Sequence, residues 1–367
     1  MGISVLGTYH SKFGRLDKSL YELLVDAGKG VLDDAEVSPD KIGGIWIGNY
    51  SAGGFNNQEH LAPYSTNIAE ELRFTPATRV ENACASGSAA IEQAKNALIS
   101  GDVDYAMVIG VEKMTAQDTK GVTKTLAMAS YWPEEGSKGM TFPGLFAEYA
   151  KGYMDKYNFS LSELRETMAR IAAKNHQNAL ENPLAQMPWD CSYEDILNLP
   201  DEKNPVIAEP LRLYDCSLIT DGAAALILTR NDLAKKVSDE IVEISTLKHS
   251  SDYLDMSKRA NYEFTAGKKA IEMAYKEKGI TVDDLDFAEV HDCFTIAEIL
   301  AYEALGIVED GKGFKAIEDG IVMKDGKLPV NLSGGLKAKG HPVGTTGVSM
   351  AVLAVRQLLG QAIGIQL

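Results

Sequence analysis

Residues 80–101 read VENACASGSAAIEQAKNALISG, with Cys84 near the start of the run. The residues just ahead, 76–80, form a short apolar run that suits a buried strand. Behind Cys84, residues 85–99 hold no proline and one early glycine, and Ser100-Gly101 is a helix stop. Cys84 is therefore expected on a strand-to-helix turn. The partial positive charge and open N–H groups of a helix start there favour a thiolate. Ala85, Ser86, Gly87, Ser88, Ala89 and Ala90 are all small, so the helix start is expected to be buried under a close backbone neighbour, such as a symmetry mate. The competing reading is a small core residue, the usual fate of a free cysteine.

Working outward, 3–7 reads as a strand, 19–33 as a helix, 42–47 as a strand and 58–72 as a helix. A strand at 105–111 follows the Cys84 unit. The order β-α-β-α-β-α-β predicts a layered α/β fold with a mostly parallel sheet. From residue 112 to 215 the pattern changes to an insertion with helices at 141–157 and 160–180. It is rich in methionine and aromatic residues, which either line an apolar groove or make a small core of their own. Strand pattern resumes at 223–228. The second half repeats the element order, with strands at 241–247, 287–290 and 328–332 and helices at 264–277, 295–305 and 345–359. Reactive residues follow strands in both halves, at the sheet edge where α/β proteins gather their sites.

At 367 residues the chain is long enough for two domains or one duplicated unit. The net charge of -16 argues against nucleic acid or an anionic membrane as partner, and requires a local basic patch for any anionic substrate. Cysteines at 84, 191, 216 and 293 match neither a paired metal pattern nor a disulfide framework, which points to a reducing cytoplasm. The N-terminal segment lacks the charged and apolar blocks of a signal peptide, and no apolar run reaches membrane-spanning length.

Two further stretches carry chemistry. Residues 288–294, AEVHDCF, run from a strand directly into His291, Asp292 and Cys293. Residues 331–344, NLSGGLKAKGHPVG, combine Gly334, Gly335, Gly340 and Gly344 with Lys337, Lys339 and His341. So much glycine implies sharp turns and close approach to another group. The two lysines suit an anion, although no phosphate-loop pattern is present. Cysteine, two histidines and a second cysteine, each after a strand, point to nucleophilic catalysis with acid/base help: an imidazole takes the thiol proton, and a second thiol moves protons on carbon. A zinc site is the minor alternative, since the spacing fits no structural zinc pattern.

Together, ENACASGS around Cys84, HDCF at 291–294 and GGLKAKGHPVGTTG at 334–347 resemble the thiolase family. VEKMT at 111–115, KNHQNALENPLAQ at 174–186 and DCSLITDGAAALIL at 215–228 extend the likeness over nearly the whole chain. The HDCF motif is similar to the branch of sterol-carrier-protein type and archaeal acetoacetyl-CoA thiolases. The resemblance implies a five-layer αβαβα fold. Its N-terminal half would comprise 1–111 and 216–232, its inserted loop domain 112–215 and its C-terminal half 233–367. It implies Cys84 as the acyl-accepting nucleophile and His341 as its activator and thioester-oxygen ligand. It further implies Cys293 as the acid/base on acetyl-CoA, and His291 beside His341 in an oxyanion hole. Ser333, Gly334, Lys337 and Gly340 fall where the family meets coenzyme A.

The implied activity is acetyl-CoA C-acetyltransferase, with coenzyme A thioesters as substrates and no tightly bound cofactor or metal. Thiolysis of longer or branched 3-ketoacyl-CoA, retro-aldol cleavage and a non-catalytic scaffold subunit are the alternatives. Implied partners are a second copy of the chain, as homodimer or homotetramer, an OB-fold/zinc-ribbon protein and a hydroxymethylglutaryl-CoA synthase. The family continues past the last helix into a pair of strands with a glycine-rich turn. The segment 361–367, QAIGIQL, does not show them, so that strand pair is expected to be missing or incomplete here.

Overall fold

The computed structural model describes residues 2–238, 240–259 and 262–367. Its strands, in chain order, are β1 (Ile3–His10), β2 (Ile42–Gly48), β3 (Ala77–Val80), β4 (Tyr105–Lys113), β5 (Val206–Ala208), β6 (Leu211–Arg212), β7 (Asp221–Arg230) and β8 (Val242–Ile244). The chain separates into two compact units. The first comprises Met1–Val122, Ile219–Leu247 and His341–Leu367, and the second Thr123–Leu218 and Lys248–Gly340.

The first unit is built on a six-stranded sheet of order β3-β2-β4-β7-β1-β8. Helix Leu20–Ala35 covers one face, burying Leu20, Leu23, Leu24, Ala27 and Val31 against Ile45, Ile47, Met107, Ile109 and Ile227. Helices Ser86–Ser100 and Thr346–Leu358 share the other face, where Ile91, Ala94, Val348 and Val352 meet Val108, Leu226 and Leu228. A sheet covered on both sides needs apolar residues at successive positions, which explains the unbroken run in β7. The pairing is mixed: β2 runs parallel to β3 and β4, whereas β7 is antiparallel to β4 and β1, and β8 is antiparallel to β1. The expected mostly parallel sheet is thus corrected. The sequence for β7 enters after a long excursion, with no single crossover helix to dictate its direction.

Two other expectations change. The helix expected at 58–72 is a pair of 3₁₀ turns, Ala62–Asn67 and Glu70–Leu72; Pro63 would fall in the interior of a helix running from 58, where it removes a hydrogen bond, and is tolerated only where a new turn begins. The strand expected at 241–247 shortens to β8 and joins the first unit's sheet rather than opening a second one.

The second unit is largely helical. Helix Leu161–Asn178 begins in a capping box between Ser160 and Glu163 and turns its last residues, including Lys174, Asn175 and Asn178, inward. The aromatic insertion makes a core of its own here: Phe146 stacks on Phe294 at 4.4 Å, and Tyr149 and Tyr153 are buried. The strands expected at 287–290 and 328–332 shorten to an isolated parallel bridge, Ala288 to Val330, beside which Val290 N donates to Asn331 Oδ1 at 2.8 Å.

Candidate active site

In the first unit, β3 leads through Glu81 and Asn82 into a 3₁₀ turn, Ala83–Ala85, and then into helix Ser86–Ser100. Cys84 sits on that turn. Ala83 holds a left-handed backbone, φ 46°, a strained conformation for a residue with a side chain. The turn is braced by Asn82 N–H donating to Ser86 Oγ at 2.8 Å and by Ser86 Oγ donating to Ala83 O at 2.6 Å. Of the small residues beyond, Ser86, Gly87 and Ala90 are buried but Ala85 and Ser88 are exposed, so the expected burial holds for one side of the helix start only. A Cβ at Gly87 would lie 2.8 Å from Val348 N and 3.0 Å from Gly344 O. Only glycine allows the helix start to press against the loop that carries His341.

His341 is buried, and one of its ring nitrogens lies within 4.8 Å of Cys84 Sγ. Its Nδ1 is 2.7 Å from Thr346 Oγ1, and that hydroxyl donates its proton to Pro342 O at 3.2 Å. With that hydroxyl's proton directed at Pro342 O, Thr346 accepts from Nδ1–H, the tautomer in which Nε2 carries the lone pair. The backbone N–H of His341 donates to Thr220 Oγ1 at 3.0 Å.

Cys84 is half-buried on its turn. Burial, followed by the nearby Glu112 carboxylate, pushes its thiol from 9.0 up to about 12. That change is on the order of 4 kcal/mol. A helix N-terminus supplies about 0.3–2 kcal/mol, so burial wins and a base is required. Glu112, at the end of β4, is fully buried. It accepts from Asn49 Nδ2 at 2.9 Å, Tyr50 N at 2.8 Å, Ser51 N at 3.3 Å and Gly344 N at 2.9 Å. Its own carboxyl is raised to about 7, mainly by burial and against those hydrogen bonds.

In the second unit, the other motif residues rest on a buried polar lattice. Asp292 accepts from Asn175 Nδ2 at 2.8 Å, Leu336 N at 2.6 Å and Lys337 N at 3.1 Å. It thereby clamps the π-helical turn Gly335–Lys339. Gly335 has φ 58°, and a Cβ there would fall 2.4 Å from the Asp292 carboxylate. Glu298 accepts from Asn175 Nδ2 at 2.7 Å, Asn331 Nδ2 at 3.1 Å and Tyr302 OH at 2.5 Å, and pairs with Lys174. Asn178 and Asn182 donate to the backbone carbonyls of Asn331 and Ser333 at 3.1 and 2.8 Å. The segment KNHQNALEN thus pins both the HDCF and the NLSGG loops, a role that its identity as a motif did not disclose.

Burial, with Lys339 nearby, holds His291 down at about 4, so its imidazole is neutral at physiological pH and offers one N–H. Cys293 is buried, and its carbonyl accepts from Ser217 N at 2.9 Å. Ser333 donates through N and Oγ to Glu289 at 3.0 and 2.6 Å. Lys337 and Lys339 are both buried, Lys337 with its ammonium 5.4 Å from the Tyr214 ring centroid, so neither presents a cation to solvent. Gly334 and Gly340 turn the backbone with φ of 98° and 119°.

Two sequence profiles match in succession: the thiolase N-terminal domain over residues 3–232 and a thiolase C-terminal domain-like profile over residues 249–367. The chain belongs to the thiolase family. Its fold is the thiolase fold, and as a thiolase it is an acyl-transferring enzyme that works on coenzyme A thioesters. It is 41% identical over 364 residues to an acetyl-CoA acetyltransferase of Methanothermobacter thermautotrophicus, covering 98% of this chain and 91% of the relative. Sterol carrier protein 2 of Bos taurus is 28% identical, with 98% of this chain and 67% of that protein covered. Among solved structures, an Ltp2-ChsH2(DUF35) aldolase superposes with a TM-score of 0.79 at 21% identity, covering 99% of this thiolase and 91% of that chain. Among the described residues, no helix is long and apolar enough to cross a membrane.

Proposed function

We propose that this thiolase is an acetyl-CoA C-acetyltransferase that joins two acetyl-CoA into acetoacetyl-CoA and CoA, or runs the reverse, by ping-pong transfer through a Cys84 thioester. The observation that carries the mechanism is the pairing of Cys84 Sγ with a His341 ring nitrogen within 4.8 Å. The acetyl specificity is supported by the 41% identity to the archaeal acetyl-CoA acetyltransferase.

In the first half-reaction, His341 Nε2 takes the Cys84 proton as Sγ attacks the thioester carbonyl. The proton then returns to the departing CoA thiolate. In the second, Cys293 removes a proton from the methyl group of acetyl-CoA. The enolate carbon attacks the acyl-Cys84 carbonyl, the Cys84 thiolate leaves, and the proton that the Cys293 thiolate had accepted passes to it, so both sulfurs return to their starting state. The neutral His291 N–H donates to the enolate oxygen. One such preorganised donor contributes about 3–4 kcal/mol to an oxyanionic transition state. Ser333, Gly334, Lys337 and Gly340 belong to coenzyme A recognition. The exposed backbone of the glycine turns suits contact with the pantetheine arm, and Lys337 acts as a buried field beneath it. No tightly bound cofactor is needed by this cycle. A homodimer or homotetramer in the cytoplasm, joined by an OB-fold/zinc-ribbon protein and a hydroxymethylglutaryl-CoA synthase, completes the reading.

The test is intact mass after mixing with acetoacetyl-CoA, with Cys84→Ala in parallel. An acetyl adduct on the wild type and none on the variant is expected. An adduct that persists on Cys84→Ala, or none on the wild type, would overturn the mechanism.

A further inference from the structure

The carboxylate of Glu112 touches both loops flanking the Cys84–His341 pair within the first unit. Oε2 accepts from Tyr50 N at 2.8 Å and from Gly344 N at 2.9 Å, and Oε1 from Asn49 Nδ2 at 2.9 Å and Ser51 N at 3.3 Å. Gly344 stands three residues after His341. The 49–51 turn is tied to the cysteine's own strand, because Asn49 N donates to Val80 O at 3.2 Å. The same turn is fixed from its other side by Arg79, which donates to Tyr50 O at 2.6 Å. A Cβ at Gly344 would meet Asn49 Cα at 2.6 Å and Glu112 Oε2 at 2.7 Å, so the loop seats directly on this carboxylate.

We infer that Glu112 is a positioning residue for acyl transfer, whose carboxylate seats the His341 loop on the turn after β2 and so sets the approach of His341 to Cys84. The inference rests on the nucleophile and base roles proposed above. Four N–H donors converge on the group, and no isostere satisfies them. A glutamine, in either amide orientation, turns its NH₂ toward two N–H donors. The charge has a second effect: it opposes a thiolate at Cys84 and favours the imidazolium that His341 becomes once it has taken the proton. Glu112 therefore opposes thiolate formation at rest and assists transfer when substrate arrives.

The experiment follows acetylation of the protein by acetoacetyl-CoA with rapid-quench intact mass, alongside the pH profile of Cys84 alkylation by iodoacetamide, for wild type, E112Q, E112D, H341A and E112Q/H341A. E112Q is expected to acetylate about 100-fold more slowly, the scale of an ångström-level misplacement. Its Cys84 alkylation midpoint is expected to move to lower pH, because a negative neighbour is gone. A merely structural role would not produce that opposed pair of changes. Acting through His341, E112Q should cost less than threefold when added to H341A. Should E112Q fail to fold by near-UV circular dichroism, E112D decides: it keeps the charge but loses reach, so acetylation slows while the alkylation midpoint stays. Wild-type acetylation rates in E112Q or E112D, or a full extra loss in the double variant, overturn the inference while leaving the Cys84 mechanism intact. Absence of any wild-type adduct overturns both.

Discussion

Replacing Lys174 by methionine isolates the lattice that holds the HDCF motif. Lys174 is buried, pairs with Glu298 and donates to Val330 O at 2.9 Å. Breaking a buried ion pair from one side costs about 3–5 kcal/mol. Glu298 would keep donors from Asn175, Asn331 and Tyr302, which places the expected loss near the lower end, about 3 kcal/mol. The loss has a pH signature. Burial and then Glu298 raise Asp292 to about 7, and Lys174 works against that rise. With a folded value above its ordinary 3.8, Asp292 binds more protons in the native than in the unfolded state through that window, so stability falls as pH rises from about 4 to 7. Removing Lys174 extends the window above 7, and the deficit of K174M should therefore grow between pH 6 and pH 8. Urea unfolding at both pH values measures it, and the double variant K174M/E298Q should recover part of the loss. A K174M protein within about 1 kcal/mol of wild type at pH 8 would refute the claim that this cation neutralises the lattice.

Other expectations follow from single contacts. Gly335→Ala puts a Cβ against the Asp292 carboxylate at 2.4 Å in a left-handed backbone, and should cost about 1–3 kcal/mol in thermal unfolding together with loss of turnover. In H341A, with the Cys84 thiol at about 12, iodoacetamide alkylation should rise about tenfold per pH unit from pH 7 to 9 without a plateau, as thiolate supply dictates. Asn182→Ala removes the donor to Ser333 O and should cost about 1 kcal/mol while raising the acetoacetyl-CoA KM more than it lowers kcat. Phe74 is 87% exposed with φ 81°, so Phe74→Gly should stabilise the fold by about 1 kcal/mol in a thermal melt.

Much of the site was legible from sequence because its pieces are local. The turn at Cys84, the helix behind it and the strand at β4 follow from short apolar runs, glycine stops and the absence of proline. Pairing was less legible. Residues 242–244 read as a strand, but nothing in their alternation says that they add to β1, and the strands around Ala288 and Val330 shrink to one bridge. Pro63 was visible and should have broken the helix expected at 58–72. Glu112 carries a signal of another kind: an acid directly after an apolar run has to find donors, and one of them is Gly344, far away in sequence. Burial holds the Cys84 thiol up against the pull of the helix end, and sequence does not report how much water surrounds a thiol.

The first unit draws its last segment, His341–Leu367, from beyond the whole of the second. During synthesis, Cys84 and His341 are separated by 257 residues (341 − 84), which at typical ribosome speeds is roughly 13–50 s of translation. Until then Cys84 exists without His341, and one face of the sheet lacks helix Thr346–Leu358. A nascent chain of this architecture emerges with apolar surface open to chaperones, and the histidine that meets Cys84 arrives in the same segment that seals the core.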